Sequence, residues 1–293
     1  MEKLIGIIRE ALQLPNAEVK NISLSGGMTN LNYLVTVDSN NYILRIPGNG
    51  ANDFINRIEE KKNLELGSKL GINPELRYFN VKTGLKITKR IENAITLTPK
   101  IAQEEKIMKK VAGTFKTLHH SNEKMDNRFD LFGMMNNFEE LALEAGATLY
   151  EGFEVVKKDI ASLERYFKEL TIEETPCHID PACSNFILGE DGKMYLIDWE
   201  YSGMFDPLWD ISTHSLEVGF SKLEEALFLK HYFQRDATAL EEERMLLHNI
   251  FQDYLWSLWT LFKEEKGDDF GSYGSNRFER VKGNIRIFKD TFG

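Results

Sequence analysis

The run Cys177-His178-Ile179-Asp180-Pro181-Ala182-Cys183-Ser184-Asn185-Phe186 constrains this chain more than any other segment. An aspartate stands five residues before an asparagine, and a second aspartate, Asp198, follows 18 residues after the first, at the end of the apolar run Tyr195-Leu196-Ile197. The segment between them, Phe186–Ile197, reads as a hairpin around Glu190-Asp191-Gly192-Lys193. Asn185 and Asp198 therefore flank that hairpin, with Asp180 just upstream.

Protein kinases use this arrangement for phosphoryl transfer. Asp180 is the candidate base, placed to orient an acceptor hydroxyl and receive its proton late. Pro181 restricts the backbone beside it, which suits a fixed loop. Asn185 and Asp198 offer the hard oxygen ligands that Mg²⁺ prefers, holding it against the phosphates of ATP. An isolated Asp-x₄-Asn is common in surface loops, where the Asn caps a turn. The hairpin and the Ile197-Asp198 pair make this match far more specific. His178 and the nearby cysteines match no metal-ligand spacing, so it reads as a structural histidine bonded to the loop backbone. His119-His120 closes a helix, where cations are expected, and is assigned no function.

Before Arg90 the chain reads as mixed strand and helix. Leu31, Tyr33, Val35 and Val37 alternate with Asn32 and Thr36. Asp38-Ser39-Asn40-Asn41 supplies a turn, and Tyr42 to Ile46 returns as a second strand. A helix is expected from about Asp53 to Leu70, ended by Gly71 and Pro74. Short strands are expected near residues 76–80 and 85–89. After Arg90, helical periodicity dominates 101–119, 153–170, 223–233 and 237–266. The outline is an α+β, protein-kinase-like, two-lobed fold. Residues 1–91 form a small antiparallel nucleotide-binding lobe, and residues 92–293 form a larger, mainly helical catalytic and substrate-binding lobe.

Within the first lobe, Ser25-Gly26-Gly27-Met28-Thr29-Asn30 precedes a strand. Its glycines allow backbone amides to approach phosphate, and Thr29 and Asn30 add donors. Ser25, Gly26, Gly27, Thr29 and Asn30 are accordingly candidate nucleotide contacts. Arg45 ends the strand Tyr42-Ile43-Leu44-Arg45, where kinases carry a lysine that pairs with phosphates and a helix glutamate. A guanidinium can make the same contacts. Glu59 and Glu60 both qualify as its partner, and counting back from Pro74 favours Glu60.

Gln252, Trp256 and Trp259 share one helix face by i, i+4, i+7 spacing. Phe251, Leu255, Leu258 and Phe262 form a neighbouring apolar face that reads as core. The Trp face fits either core or a cation receptor. A quaternary ammonium has no N–H to donate, so aromatic rings are its natural partners. Tyr201, Phe270 and Tyr273 could add walls.

The remaining composition narrows the setting. The chain has 293 residues, 42% of them hydrophobic, enough for one large domain or two lobes with a sizeable core. A formal net charge of −10 disfavours a nucleic-acid partner. The two cysteines, Cys177 and Cys183, match neither a zinc ribbon nor a redox pair, and read as free thiols in a reducing cytosol. Residues 1–14 read as an amphipathic helix interrupted by Arg9 and Glu10 rather than as a signal peptide. No apolar run approaches a membrane span.

Together these segments resemble the choline/ethanolamine kinase family, in particular its bacterial choline kinases. The resemblance is carried by Ser25-Gly26-Gly27-Met28-Thr29-Asn30, Tyr42-Ile43-Leu44-Arg45-Ile46-Pro47-Gly48 and Leu70-Gly71-Ile72-Asn73-Pro74. The His178–Phe186 loop, Ile197-Asp198-Trp199-Glu200-Tyr201-Ser202-Gly203-Met204, Asp206-Pro207-Leu208-Trp209-Asp210, Trp256-Ser257-Leu258-Trp259 and Phe270-Gly271 extend it over nearly the whole chain. The loop at His178–Phe186 is shared with the wider aminoglycoside phosphotransferase group. The resemblance implies ATP, Mg²⁺ and an amino-alcohol acceptor. It places Asp180 as base, Asn185 and Asp198 at the metal, and Tyr201, Trp256, Trp259 and Phe270 at the acceptor. One departure stands out: the aromatic expected soon after Phe270-Gly271 has only Tyr273 as a candidate. The acceptor favoured is choline. Ethanolamine, thiamine or an aminoglycoside are the rivals within the fold, and an inactive nucleotide-binding scaffold is the rival outside it.

Overall fold

The computed structural model describes residues 2–24, 30–48 and 55–292. Helix α1 (Glu2–Leu12) lies first, and its inward face carries Ile8 and Ala11. Strands β1 (Val19–Leu24), β2 (Leu31–Val37) and β3 (Asn40–Ile46) follow. The period-2 pattern puts Val35, Val37 and Leu44 on the buried face, against Ile8, Ala11 and Ile87. Val37 pairs with Asn40, so the turn is the two residues between them, tighter than the four-residue turn expected from the sequence. Asp38 takes a left-handed φ of 52° there, a conformation Asp tolerates.

Helix α2 (Arg57–Lys69) begins later than the expected residue 53. Asn56 caps it, accepting hydrogen bonds from the backbone N–H groups of Ile58 and Glu59. Strands β4 (Leu76–Phe79) and β5 (Lys86–Lys89) complete a five-stranded antiparallel sheet of order β1-β2-β3-β5-β4.

Strand β6 (Ile95–Thr96) leads into helices α3 (Pro99–Ala102), α4 (Glu105–His119), α5 (Leu131–Glu144) and α6 (Phe153–Glu169). The single helix expected over 101–119 is thus divided, because Gln103 closes α3 and Glu104 opens α4 in extended backbone. Strands β7 (Thr175–Cys177), β8 (Phe186–Leu188), β9 (Met194–Leu196) and β10 (Gly203–Phe205) come next. The β8–β9 hairpin forms as expected and pairs with β6, while β7 pairs with β10. Helices α7 (Pro207–Val218), α8 (Lys222–Phe233), α9 (Ala239–Glu265) and α10 (Tyr273–Phe292) finish the chain. Thr238 and Glu241 form a reciprocal capping box that fixes the start of α9. Helix α7 escaped the sequence reading for a physical reason. Residues 208–215 are all buried, polar ones included, so it has no amphipathic stripe.

Packing joins the sheet to the helices through α2. Its Leu64, with Ile72 just beyond, shares a core with Phe186, Leu196 and Trp199 of the hairpin region and with α4, α7 and α8. Gly67 allows the approach, since a Cβ there would lie 2.5 Å from Trp199 Cζ2. The Leu196 N–H donates to Ile72 O at 2.7 Å. Among the described residues no helix is long and apolar enough to cross a membrane. Cys177 and Cys183 are free and buried.

Candidate active site

Three carboxylates and three cations meet where the sheet faces the hairpin. β3 supplies Arg45, β5 supplies Lys86 directly across from it, and α2 supplies Arg57 and Glu60. The segment after β9 supplies Asp198 and Glu200. Arg45 is 3% exposed and lies inside the cluster. Its two terminal nitrogens donate to Glu60 and Asp198, and Nη1 also lies 3.3 Å from Glu200 Oε2. Geometry therefore selects Glu60 over Glu59. Arg57 Nη1 donates to the other Glu60 oxygen at 2.6 Å and to Glu200 at 3.3 Å. Lys86 Nζ sits 3.7 Å from Glu60 Oε1 and 3.5 Å from Asp198 Oδ1. Buried charges of this density persist only when paired.

The electrostatics follow from that pairing. Burial would push the Asp198 carboxyl up, but Arg45 and Lys86 outweigh it and hold the group below its ordinary range. Glu200 goes the other way. Burial and the Asp198 charge raise it despite Arg45 and Arg57.

The loop bearing Asp180 is fastened from beneath by α7. The backbone N–H groups of His178 and Ile179 donate to the two oxygens of Asp210 at 2.7 and 2.8 Å. The Trp209 indole N–H donates to Ile179 O at 2.8 Å. These bonds hold Ile179 at φ 75°, a conformation rare for a β-branched residue. Asp198 is also left-handed, at φ 71°. Asp tolerates that region, so the strain lies at Ile179, and strain of this kind collects at functional sites. His178 Nε2 donates to Ile197 O at 2.9 Å, so it is the backbone brace expected from the sequence. His214 Nδ1 bonds Pro181 O at 3.1 Å. Burial pushes both histidines down to about 4.

Asn185 Nδ2 donates to Asp180 O at 2.8 Å and lies 3.4 Å from Asp180 Oδ2. Its amide oxygen takes no part in that bond. Burial, then the charges of Asp198 and Glu200, push the Asp180 carboxyl up to about 8, against Arg277 and Asn185. With so many carboxylates close by, this arrangement fits a divalent cation. Glu60, Asp198 and Glu200 present oxygens within 4.8 Å of one another, and Asp198 remains partly open to solvent. An all-oxygen donor set suits Mg²⁺. His119, Cys177 and Asp210 also converge. That set is a hydrogen-bond node instead: His119 bonds Tyr232 Oη at 2.8 Å and Asp210 at 3.1 Å, and both Asp210 oxygens serve the loop. His119 is thus buried inside this network, not a solvated cation at a helix end.

An aromatic row lies close enough to Asp180 for that charge to act on Tyr201. Tyr201 lies edge-to-face with Trp256 at 5.4 Å, Trp256 with Trp259 at 6.1 Å, and Trp259 lies 5.0 Å from Phe270. Tyr273 extends the row 6.5 Å beyond Phe270, and the Arg277 guanidinium covers its ring at 4.5 Å. The phenols of Tyr201 and Tyr273 are both pushed up by burial and then by carboxylates that include Asp180. Trp256 is 7% exposed and packed in the core, whereas Trp259 is half-buried. Gln252 does not share their open face. It is buried, and its amide donates to Ser212 Oγ at 3.1 Å. Phe251, Leu255, Leu258 and Phe262 are core, as their spacing indicates.

The structure brings Asp180, Asn185, Asp198, Arg45 and Glu60 together, and gathers Tyr201, Trp256, Trp259 and Phe270 into the row. Ser25, Gly26, Gly27 and Thr29 lie outside the described residues. Asn30 is described and buried, and its side chain accepts from the Gly48 N–H at 3.3 Å. Sequence reasoning gave no role to Lys86, Arg57, Glu200 or Asp210. Lys86 had one available signal, its place on the strand expected to pair with that of Arg45. Asp210 lay in the Asp206-Pro207-Leu208-Trp209-Asp210 run that carries the resemblance, but nothing local says that a buried helix aspartate binds a distant loop.

A sheet of order β1-β2-β3-β5-β4, an Arg–Glu pair between β3 and α2, and an Asp–Asn loop before an Asp-bearing hairpin define a protein-kinase-like fold. The family model for choline/ethanolamine kinase matches residues 21–282, and the chain belongs to that family. Protein LicA of Haemophilus influenzae strain Rd is 32% identical over 260 residues, covering 86% of this chain and 96% of that protein. The crystal structure of choline kinase LicA from Streptococcus pneumoniae is 37% identical, with a TM-score of 0.86 over 98% of this chain and 99% of that one. A structure of LicA in complex with AMP is 36% identical, also with a TM-score of 0.86, and covers 98% of both chains.

Proposed function

We propose that this chain transfers the γ-phosphoryl group of ATP to the hydroxyl of choline, giving phosphocholine. The observation that carries the choice of acceptor is the row Tyr201–Trp256–Trp259–Phe270 beside Asp180. A trimethylammonium gains from aromatic faces, whereas a primary ammonium leaves its N–H donors against ring carbon. The relative solved from Streptococcus pneumoniae is itself called a choline kinase. The AMP complex of LicA supports a nucleotide site.

In this reading Asp180 accepts a hydrogen bond from the choline hydroxyl, aims its oxygen at the γ-phosphorus and receives the proton late. Asn185 and Asp198 would hold Mg²⁺, which when bound neutralises charge on the phosphate oxygens. Glu60 and Arg45 fix Asp198, and Asp210 fixes the backbone that carries Asp180. Ser25, Gly26, Gly27, Thr29 and Asn30 would cover the phosphates. Residues 1–91 act as the nucleotide lobe and 92–293 as the acceptor lobe, with α2 packed across the boundary. The enzyme would work in the cytoplasm, where ATP is supplied and its thiols stay reduced. A coupled assay comparing choline and ethanolamine tests the reading. Choline should show the higher kcat/KM. A higher value for ethanolamine would reassign the acceptor.

A further inference from the structure

The charged cluster contains two cations that the mechanism above does not use, Arg57, which is tied to Glu60, and Lys86. Lys86 stands opposite Arg45 across the β3–β5 ladder, and both are buried. Like charges directly opposite each other repel, and burial strengthens the effect. Glu60, Asp198 and Glu200 offset it, but they do so unequally. Arg45 is committed to all three carboxylates, and Arg57 holds Glu60 at 2.6 Å. Lys86 stands farther off, 3.5 Å from Asp198 in a long hydrogen bond and 3.7 Å from Glu60. A tight charge-assisted bond lies at about 2.7–2.9 Å. Lys86 also shares Oδ1 of Asp198 with Arg45.

The two side chains differ in what they can do next. A guanidinium bonded on several sides cannot turn to a new anion without breaking the Glu60 and Asp198 contacts. An ammonium on a four-carbon stem can swing with little loss. Asp198 is the carboxylate on which the proposed reading places a divalent cation, and that cation would compete for the charge Lys86 now shares.

We propose that Lys86 is the cation this site delivers to the nucleotide's phosphate chain. It rests against Asp198 until a divalent cation takes up that carboxylate's charge, and then turns to the phosphate oxygens. Arg45 stays behind as the clamp between Glu60 and Asp198. This rests on the reading of Asp198 as a metal position in an ATP site.

Calorimetric titration of the full chain tests it, with the non-hydrolysable analogue AMP-PNP and with adenosine, in Mg²⁺ and in EDTA. Lys86→Met removes the charge and keeps the length, and Lys86→Gln serves if the Met variant does not fold. In Mg²⁺ either variant should bind AMP-PNP about 10- to 100-fold more weakly, the worth of a charge-assisted hydrogen bond. Adenosine affinity should stay within about twofold, because the nucleoside carries no phosphate to lose. In EDTA the difference between wild type and variant for AMP-PNP should shrink. Equal losses for both ligands would make Lys86 a structural residue and overturn the proposal. So would unchanged AMP-PNP affinity in a folded variant, or a loss of equal size in EDTA. If the wild type itself fails to bind AMP-PNP with Mg²⁺, the nucleotide reading falls as well.

Discussion

The charged cluster and the aromatic row both reach Asp180, yet they are assembled by opposite means. The cluster draws one or two residues each from β3, α2, β5 and the segment after β9, and its Arg45–Glu200 contact spans 155 residues of chain. The row is anchored by two tryptophans three residues apart on one helix, with Tyr201 and Phe270 added from loops. In the cluster each charge is tolerable only because the others are present. In the row each ring contributes its own area and its own face. Losses in the cluster should therefore spread, and losses in the row should stay local.

Glu60→Gln is the strongest way to break that contrast. It leaves Arg45 and Arg57 buried with one carboxylate fewer. Removing a partner from a buried pair costs about 3–5 kcal/mol. The lower end, about 3 kcal/mol, is expected because Asp198 and Glu200 still face Arg45. Urea unfolding measures it. A cost below about 0.5 kcal/mol would mean that the cluster's charges do not depend on one another.

Trp259→Ala probes the other region. Trp259 is half-buried between Trp256 and Phe270, so its loss should strike the acceptor first. A desolvated cation–π contact is worth about 2 kcal/mol, or about thirtyfold in KM for choline. KM for ATP should change little. The row is simply core if the variant loses stability with no selective choline defect. Trp256 would make a poorer probe, because it is packed in the core and its truncation mixes both effects.

The smallest effect concerns the loop between the two regions, which His214 braces through Pro181 O. Burial lowers His214 to about 4, against the bond to Pro181. The folded chain therefore refuses a proton that the unfolded chain accepts between about pH 6.5 and 4. The stability this histidine preserves is complete above about 6.5 and is lost as pH falls through that window, by at most about 1.4 kcal/mol per pH unit. The raised carboxylates Asp180 and Glu200 titrate in the opposite sense, so the test is a difference. Stability of the wild type minus that of His214→Gln should fall between pH 6.5 and 5. A flat difference would remove His214 as a neutral brace.

The same contrast explains what was legible. The hairpin, the strands around Arg45 and the α9 faces have fixed periods, and their apolar positions landed where the period puts them. α7 did not announce itself, because a helix buried on every side loses its stripe. The helix over 101–119 divided at Gln103-Glu104, where no glycine or proline marks the break. Gln252 shares the tryptophan spacing but turns inward to Ser212, since spacing assigns a side and not a neighbour.

The amino-acid sequence alone pointed to the β2–β3 and β8–β9 hairpins, the Asp180–Asn185–Asp198 spacing and the aromatic spacing of α9. Each of these depends on residues close in the chain, whose relative positions the backbone period sets. Only the tertiary structure decided that Glu60 and not Glu59 meets Arg45, that Lys86 joins them, and that Asp210 fastens the loop from below. Those choices are made by burial. A charge or an unpaired N–H withdrawn from water must find a partner nearby in space, and nothing in the local sequence says which distant residue that will be.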